Sequence, residues 1–140
     1  MTNHVTTTWL GGTTFESTNP SGHTIKIDTS PEHGGGSEGL RPKALMLTSL
    51  AGCSGLDVAS LMKKMKLEVE EFKIETIANL TDEHPKYYDS AVIEYHFTGS
   101  NLKEDKLKKA VDLSVEKYCG VMEMFRKFAK LDIKIFYHNK

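Results

Sequence analysis

Residues 41–66, RPKALMLTSLAGCSGLDVASLMKKMK, limit what this chain can fold into more than any other stretch. The spacing predicts a helix over 42–66. Its opening proline is tolerated at the first helical position, where the missing N–H has no intrahelical partner. Apolar residues cover nearly the whole circumference until Lys63, and a helix that is apolar all round is a buried helix. A bilayer span takes about 20 consecutive apolar residues, and Thr48, Ser49 and Asp57 interrupt this run. It therefore reads as the central helix of a soluble domain. Cys53 stands in its middle, and its small neighbours Gly52, Ser54 and Gly55 leave room around the sulfur.

The flanking segments supply strands. NHVTTTWL, residues 3–10, has strand composition, Gly11-Gly12 reads as a two-residue hairpin turn, and TTFEST returns as a second strand. After the turn Asn19-Pro20-Ser21-Gly22, His23–Asp28 alternates as a third. Residues 29–40, with three consecutive glycines, read as a flexible connection or lid near the start of the central helix. Residues 67–79 read as a strand with a bulge at Glu70-Glu71. In 87–98, Tyr87, Ala91, Ile93, Tyr95 and Phe97 share one parity, as in a half-buried strand. Asn101, with Glu104 in capping-box spacing, opens a helix whose inward stripe is Leu107, Ala110, Val111, Ser114 and Tyr118. A short amphipathic helix over 121–130 and a strand carrying Leu131, Ile133, Ile135 and Tyr137 complete the chain. The order β-β-β, long α, β-β, α, short α, β makes the fold class α+β, and 140 residues make one domain, 1–140.

A net charge of −1 provides no basic field for nucleic acid. The lysine clusters 63, 64, 66 and 103, 106, 108, 109 lie on helix surfaces with acids nearby. The N-terminus MTNHVTTTWLGG lacks the pattern of a secretory leader, and two cysteines in such a chain point to a reducing, cytoplasmic setting. No CxxC, HExxH or zinc-spaced Cys/His cluster is present, and the six histidines are scattered.

Thiol chemistry runs through the thiolate, which needs a cation, a helix N-terminus or hydrogen-bond donors beside it. Cys53 lies about three turns into its helix, beyond the reach of the helix dipole. A cation must activate it, and Arg41, at the mouth of the helix, is the candidate, with Glu38 to hold it. Cys119 sits at a helix-to-helix junction, where the N–H groups of Gly120 and Val121 can point at its sulfur. Ser54 and Asp57 read as local hydrogen-bonding groups. Met62, Met65, Met122 and Met124 read as core, and Tyr118 and Phe125 as lining of an apolar pocket beside Cys119 or as packing residues.

RPKALMLTSLAGCSGLDV, followed far downstream by SVEKYCGV, resembles the OsmC/Ohr family, the osmotically inducible and organic hydroperoxide resistance proteins. The resemblance spans essentially the whole chain and points to a divergent OsmC-like subgroup. It implies an intertwined homodimer, with strands of each subunit wrapped around the partner's central helix and active sites at the interface. It further implies a thiol-dependent peroxidase in which Cys53 attacks an organic hydroperoxide and becomes a sulfenic acid, and Cys119 resolves it as a disulfide. An external dithiol then acts as reductant, and no cofactor or metal is implied. Three positions depart from the family pattern. Lys43 stands where active members usually carry a glutamate, the N-terminal strands supply no arginine, and Gly120 replaces the proline after the second cysteine. Lys43 favours the alternative, a non-catalytic member that binds a small apolar ligand at the dimer interface or senses oxidants.

Overall fold

The computed structural model describes every residue from Met1 to Lys140. It is an α+β chain with two three-stranded sheets and three α-helices, divided into two compact units, Met1–Met46 and Leu47–Lys140.

The N-terminal unit is the expected antiparallel meander of β1 (Thr7–Gly11), β2 (Thr14–Thr18) and β3 (Thr24–Ile27), in the order β1-β2-β3. Gly11 pairs with Thr14, so the turn residues are Gly12 and Thr13, one position later than expected. Gly12 takes φ +56, a left-handed conformation open to glycine at no steric cost. The Trp9 indole N–H fastens the turn by donating to the Gly12 carbonyl at 2.9 Å.

The glycine-rich connection is tied down rather than free, contrary to the expectation of a flexible lid. Asp28 is buried and gathers it. Its carboxylate accepts from the Thr13 hydroxyl at 2.5 Å, the Thr14 hydroxyl at 3.1 Å, the Thr29 N–H at 2.7 Å and the Glu38 N–H at 3.1 Å. The Thr13 hydroxyl first, and then the Glu38 N–H, hold this carboxyl well below the usual carboxylate range. Gly35 and Gly39 are required for contact: a Cβ would stand 2.1 Å from the Thr29 carbonyl oxygen at the first and 2.6 Å from the Lys26 carbonyl at the second.

α1 runs from Pro42 to Lys64. It is followed by β4 (Glu71–Leu80), β5 (Tyr88–Gly99), α2 (Glu104–Leu113), a π-helical turn (Ser114–Tyr118), α3 (Gly120–Arg126) and β6 (Lys130–Asn139). β5 is the central strand of the second sheet, antiparallel to β4 and parallel to β6. A parallel pair needs a long crossover, supplied here by the α2–α3 segment. Ile93, Tyr95 and Phe97 of β5 are fully buried, as are Leu50 and Val58 of α1, Leu107 and Val111 of α2, and Met122 of α3.

Several local expectations are corrected. The predicted bulge at Glu70-Glu71 is absent because β4 begins only at Glu71. The irregularity lies at its other end, between Asn79 and Leu80. That shift reverses side-chain parity at the start of β5, burying Tyr88 and exposing Tyr87. Asn101 does not cap α2. The helix begins at Glu104 behind Lys103, with no side-chain cap, and Asn101 Oδ1 instead accepts from the Lys103 ammonium at 3.5 Å. Tyr118 leaves the inward stripe because the π turn adds a residue to the helical repeat, and it is exposed; Met124 is exposed as well.

α1 also differs from the helix foreseen. At 23 residues it is long and apolar enough to cross a bilayer by length and composition, despite the interruptions at Thr48, Ser49 and Asp57. Nor is it buried all round. Only Leu50, Ser54 and Val58 are buried, and Leu56 is 75% exposed. One sheet can cover only one face of a helix. On the covered face, Leu50 is enclosed completely. Leu50→Ala is expected to lower the unfolding free energy by about 2–5 kcal/mol through lost burial and the cavity left behind. Urea titration of the two proteins checks this, and a loss below about 1 kcal/mol would contradict the packing described.

Candidate active site

Within the C-terminal unit, α1 carries Cys53, Ser54 and Asp57 over little more than one helical turn. Cys53 is half-buried and packs against the hydrophobic core. Cys119 arrives from the other side of the chain. The π turn ends on it, its N–H donates to the Ser114 carbonyl at 2.8 Å, and it serves as N-cap of α3. Its Sγ accepts from the Met122 N–H at 3.3 Å. This is the third residue of the helix, as N-cap geometry prefers, and not Gly120 or Val121 as the sequence suggested.

The structure brings the two thiols near enough for Cys53 to perturb Cys119, and neither is in a disulfide. Cys119 is only 4% exposed. Burial, and then its contact with the Cys53 thiol, push its pKa up to about 11, against a smaller lowering by the Met122 N–H. Cys119 is therefore protonated near neutral pH. Cys53 is the more accessible of the pair.

Beneath the thiols runs a buried chain of hydroxyls that the sequence did not disclose. Tyr95 Oη lies 2.6 Å from Ser54 Oγ, Ser54 Oγ lies 2.7 Å from Ser114 Oγ, and Ser114 Oγ donates to Asp57 Oδ2 at 2.9 Å. An ionised carboxylate only accepts, and each hydroxyl has one proton. With Ser114 donating to Asp57, Ser54 donates to Ser114 and Tyr95 to Ser54, so every proton points toward Asp57. Burial, opposed by the Ser54 contact, pushes the Tyr95 phenol up to about 12, with further small rises from Cys119 and Asp57. Tyr95 is thus a neutral donor. Ser54 and Asp57 do satisfy hydrogen bonds, as expected, but the partners are distant in sequence.

Beside Cys119 opens a cleft of about 270 Å³ lined by Val115, Lys117, Tyr118, Glu123 and Arg126, among others. Tyr118 lines it as foreseen, whereas Phe125 is buried in the core. Arg126 had drawn no functional reading. Its guanidinium meets Glu123 Oε1 at 3.3 Å and donates to the Val115 carbonyl. Arg41 belongs to the N-terminal unit, where its guanidinium donates to Ser37 Oγ at 2.8 Å, the Gly39 carbonyl at 3.1 Å and the Asp28 carbonyl at 3.4 Å. The Ser37 hydroxyl and two backbone carbonyls hold it in place, not the Glu38 carboxylate. Glu38 is engaged through its backbone N–H, on Asp28.

Residues 34–134 match the family described as OsmC-like protein. The chain belongs to the OsmC-like family. Among its OsmC-like relatives is Protein YhfA of Escherichia coli K12, 32% identical over 119 residues, which are 85% of this chain and 86% of the relative. A hypothetical protein from Aquifex aeolicus VF5 superposes with a TM-score of 0.86 at 31% identity, covering 100% of this chain and 98% of the other. An organic hydroperoxide resistance protein OsmC from Legionella pneumophila superposes with a TM-score of 0.70 at 17% identity, covering 97% of each. That likeness establishes the shared fold.

The thiols of this OsmC-like site are expected to separate in alkylation kinetics. In reduced Cys119→Ser, Cys53 should be modified by iodoacetamide readily at pH 8. In Cys53→Ser, the rate at Cys119 should be slow at pH 8 and still climbing above pH 10. Equal rates at pH 8 would contradict the burial and elevation of Cys119.

Proposed function

We propose that this OsmC-like chain is a thiol-dependent peroxidase acting on organic hydroperoxides, with Cys53 as the attacking residue and Cys119 as the resolving one. One observation carries the reading: the Cys53 thiol is close enough to raise the pKa of the Cys119 thiol, with both cysteines free. The asymmetry between them assigns the roles. The half-buried Cys53 can meet a substrate, and the enclosed, protonated Cys119 is kept from competing for it.

The Cys53 thiolate attacks the terminal oxygen of ROOH. The O–O bond breaks, the alkoxide leaves as ROH after taking a proton, and Cys53 becomes a sulfenic acid. Cys119 then gives up its proton, and its sulfur attacks the sulfenic sulfur. The hydroxyl leaves as water and an S–S bond joins the two residues. An external dithiol reduces that bond and restores both thiols. The Tyr95–Ser54–Ser114–Asp57 chain holds α1 and the π turn in register, so that the two sulfurs stay within bonding reach.

The acting species in this reading is a cytoplasmic homodimer of one OsmC-like domain per chain. The exposed apolar face of α1, Leu56 above all, supports the dimer, because a second copy would remove that face from water. Lys43, in the place of the usual glutamate, supports a second reading, in which the same site binds a small apolar ligand or senses oxidants without turnover.

Consumption of cumene hydroperoxide with a dithiol reductant tests the main reading. The wild type should turn over and Cys53→Ser should not. Cys119→Ser should lose most of its turnover with a dithiol while still forming the sulfenic acid, trapped by dimedone. Absence of wild-type turnover with any reductant would overturn the peroxidase and leave the binding or sensing role. Sedimentation should find two chains per particle for the wild type and a monomer for Leu56→Glu; a monomeric wild type would remove the dimer.

A further inference from the structure

The outer face of the β4-β5-β6 sheet carries a cluster that the thiol chemistry does not use. Glu75 of β4 stands directly across from Glu94 of β5, and His96 follows Glu94 on the same face. His96 Nε2 lies 3.1 Å from Glu94 Oε1 and 3.7 Å from Glu75 Oε2. The three ligand atoms fall within 4.8 Å of one another. We propose that Glu75, Glu94 and His96 form a binding site for a first-row divalent metal ion of the zinc and cobalt type.

The chemistry of the donors argues for it. Like charges directly opposite on paired strands destabilise a sheet, yet two carboxylates face each other here. Lys73 reaches Glu75 Oε1 at 3.4 Å and leaves Oε2 toward His96. Lys134, paired with Glu94 in register, sends its ammonium to Asp132 instead. Both acids therefore turn an oxygen toward one imidazole nitrogen, which can give its single proton to only one of them. At 3.7 Å the Glu75 oxygen lies beyond a hydrogen bond. A cation in place of that proton would bind all three. Donors around a tetrahedral zinc stand roughly 3.3 Å apart, given bonds of about 2.0–2.1 Å, so the two carboxylates need only rotate inward from the present spread, which is within 4.8 Å for all three atoms.

The ring is already oriented. His96 Nδ1 lies 3.0 Å from His138 Nε2, and the ring is stacked on Phe136 at a centroid distance of 4.8 Å. With a metal on Nε2, the proton sits on Nδ1 and is donated to His138, the outer hydrogen bond that metal-bound histidines typically make. The His96 side chain is 13% exposed and that of Glu94 22%, so two of the ligands are held while the more open Glu75 leaves a path of entry. Imidazole with two carboxylates suits zinc, cobalt or manganese better than copper(I) or an iron–sulfur cluster, which select thiolates. Three protein ligands leave positions for water.

Titration calorimetry of the full chain with Zn2+, together with the visible spectrum of the Co2+ form, tests the site. The cysteines could bind the same ions, so Cys53→Ser/Cys119→Ser serves as the background. One equivalent should bind per chain in that background, with a cobalt d–d spectrum free of thiolate charge-transfer bands. His96→Ala and Glu94→Gln should each weaken binding by about 100-fold, and His138→Ala by about 10- to 100-fold, the usual cost of losing an outer partner. Binding unchanged in both His96→Ala and Glu94→Gln, absence of saturable binding at micromolar Zn2+, or loss of binding with the cysteines would each overturn the site. The readout is independent of hydroperoxide turnover, so failure of either proposal leaves the other standing.

Discussion

The hydrogen-bond chain from Tyr95 through Ser54 and Ser114 to Asp57 ties together a strand, a helix and the π turn. Ser54 and Ser114 each serve both neighbours, and a buried polar group left without its partner costs about 1–3 kcal/mol. Ser54 fixes the rotation of α1 about its axis, and with it the direction in which Cys53, one residue earlier, projects. Ser114 begins the π turn, and its carbonyl accepts the Cys119 N–H. The positions of both sulfurs therefore depend on three hydroxyl protons pointing one way, toward a carboxylate at the end of the chain. An apolar replacement of comparable size could fill the same space but could not select one rotation of α1 over its neighbours.

The surroundings of the two cysteines differ. A thiol at the N-terminus of a helix ordinarily becomes more acidic, and the Met122 N–H does pull Cys119 in that direction. Burial and the adjacent Cys53 outweigh it, so the helix start holds the sulfur in position without ionising it. π-helical insertions are frequent at functional sites. Here the insertion delivers Cys119 to the start of α3, at the edge of the cleft that holds Arg126 and Glu123.

Much of the framework was legible in the sequence, because it follows from periodicity and punctuation. The three N-terminal strands, the helix opened by Pro42 and the β5 alternation were all readable. The errors share a cause. Tyr87 was placed inward because parity was carried through a register irregularity that only pairing with β4 reveals. Asn101 was taken as a cap because its spacing to Glu104 fits, although the chain enters the helix two residues later. The hydroxyl relay joins residues 41 and 60 positions apart, and the Glu75–Glu94–His96 cluster depends on strand register. Neither leaves a trace in linear spacing, and for that reason the scattered histidines carried no metal reading.

β5 shows how closely the buried relay and the outward cluster are interleaved. Successive side chains on a strand point to opposite faces, so Tyr95 enters the buried relay while Glu94 and His96 on either side of it face outward. A slip of one residue would exchange the faces, placing a carboxylate and an imidazole in the core and a phenol on the surface. The only irregularity in the β4–β5 pairing lies at the start of β5, opposite Asn79 and Leu80, well before this triplet. Beyond it, Ile93, Tyr95 and Phe97 are fully buried, and Phe97 stacks on Phe72 with centroids 4.7 Å apart. Apolar burial on one side of the strand therefore sets the geometry of the polar groups on the other, and the outward cluster stays separated from the thiols by the thickness of the sheet.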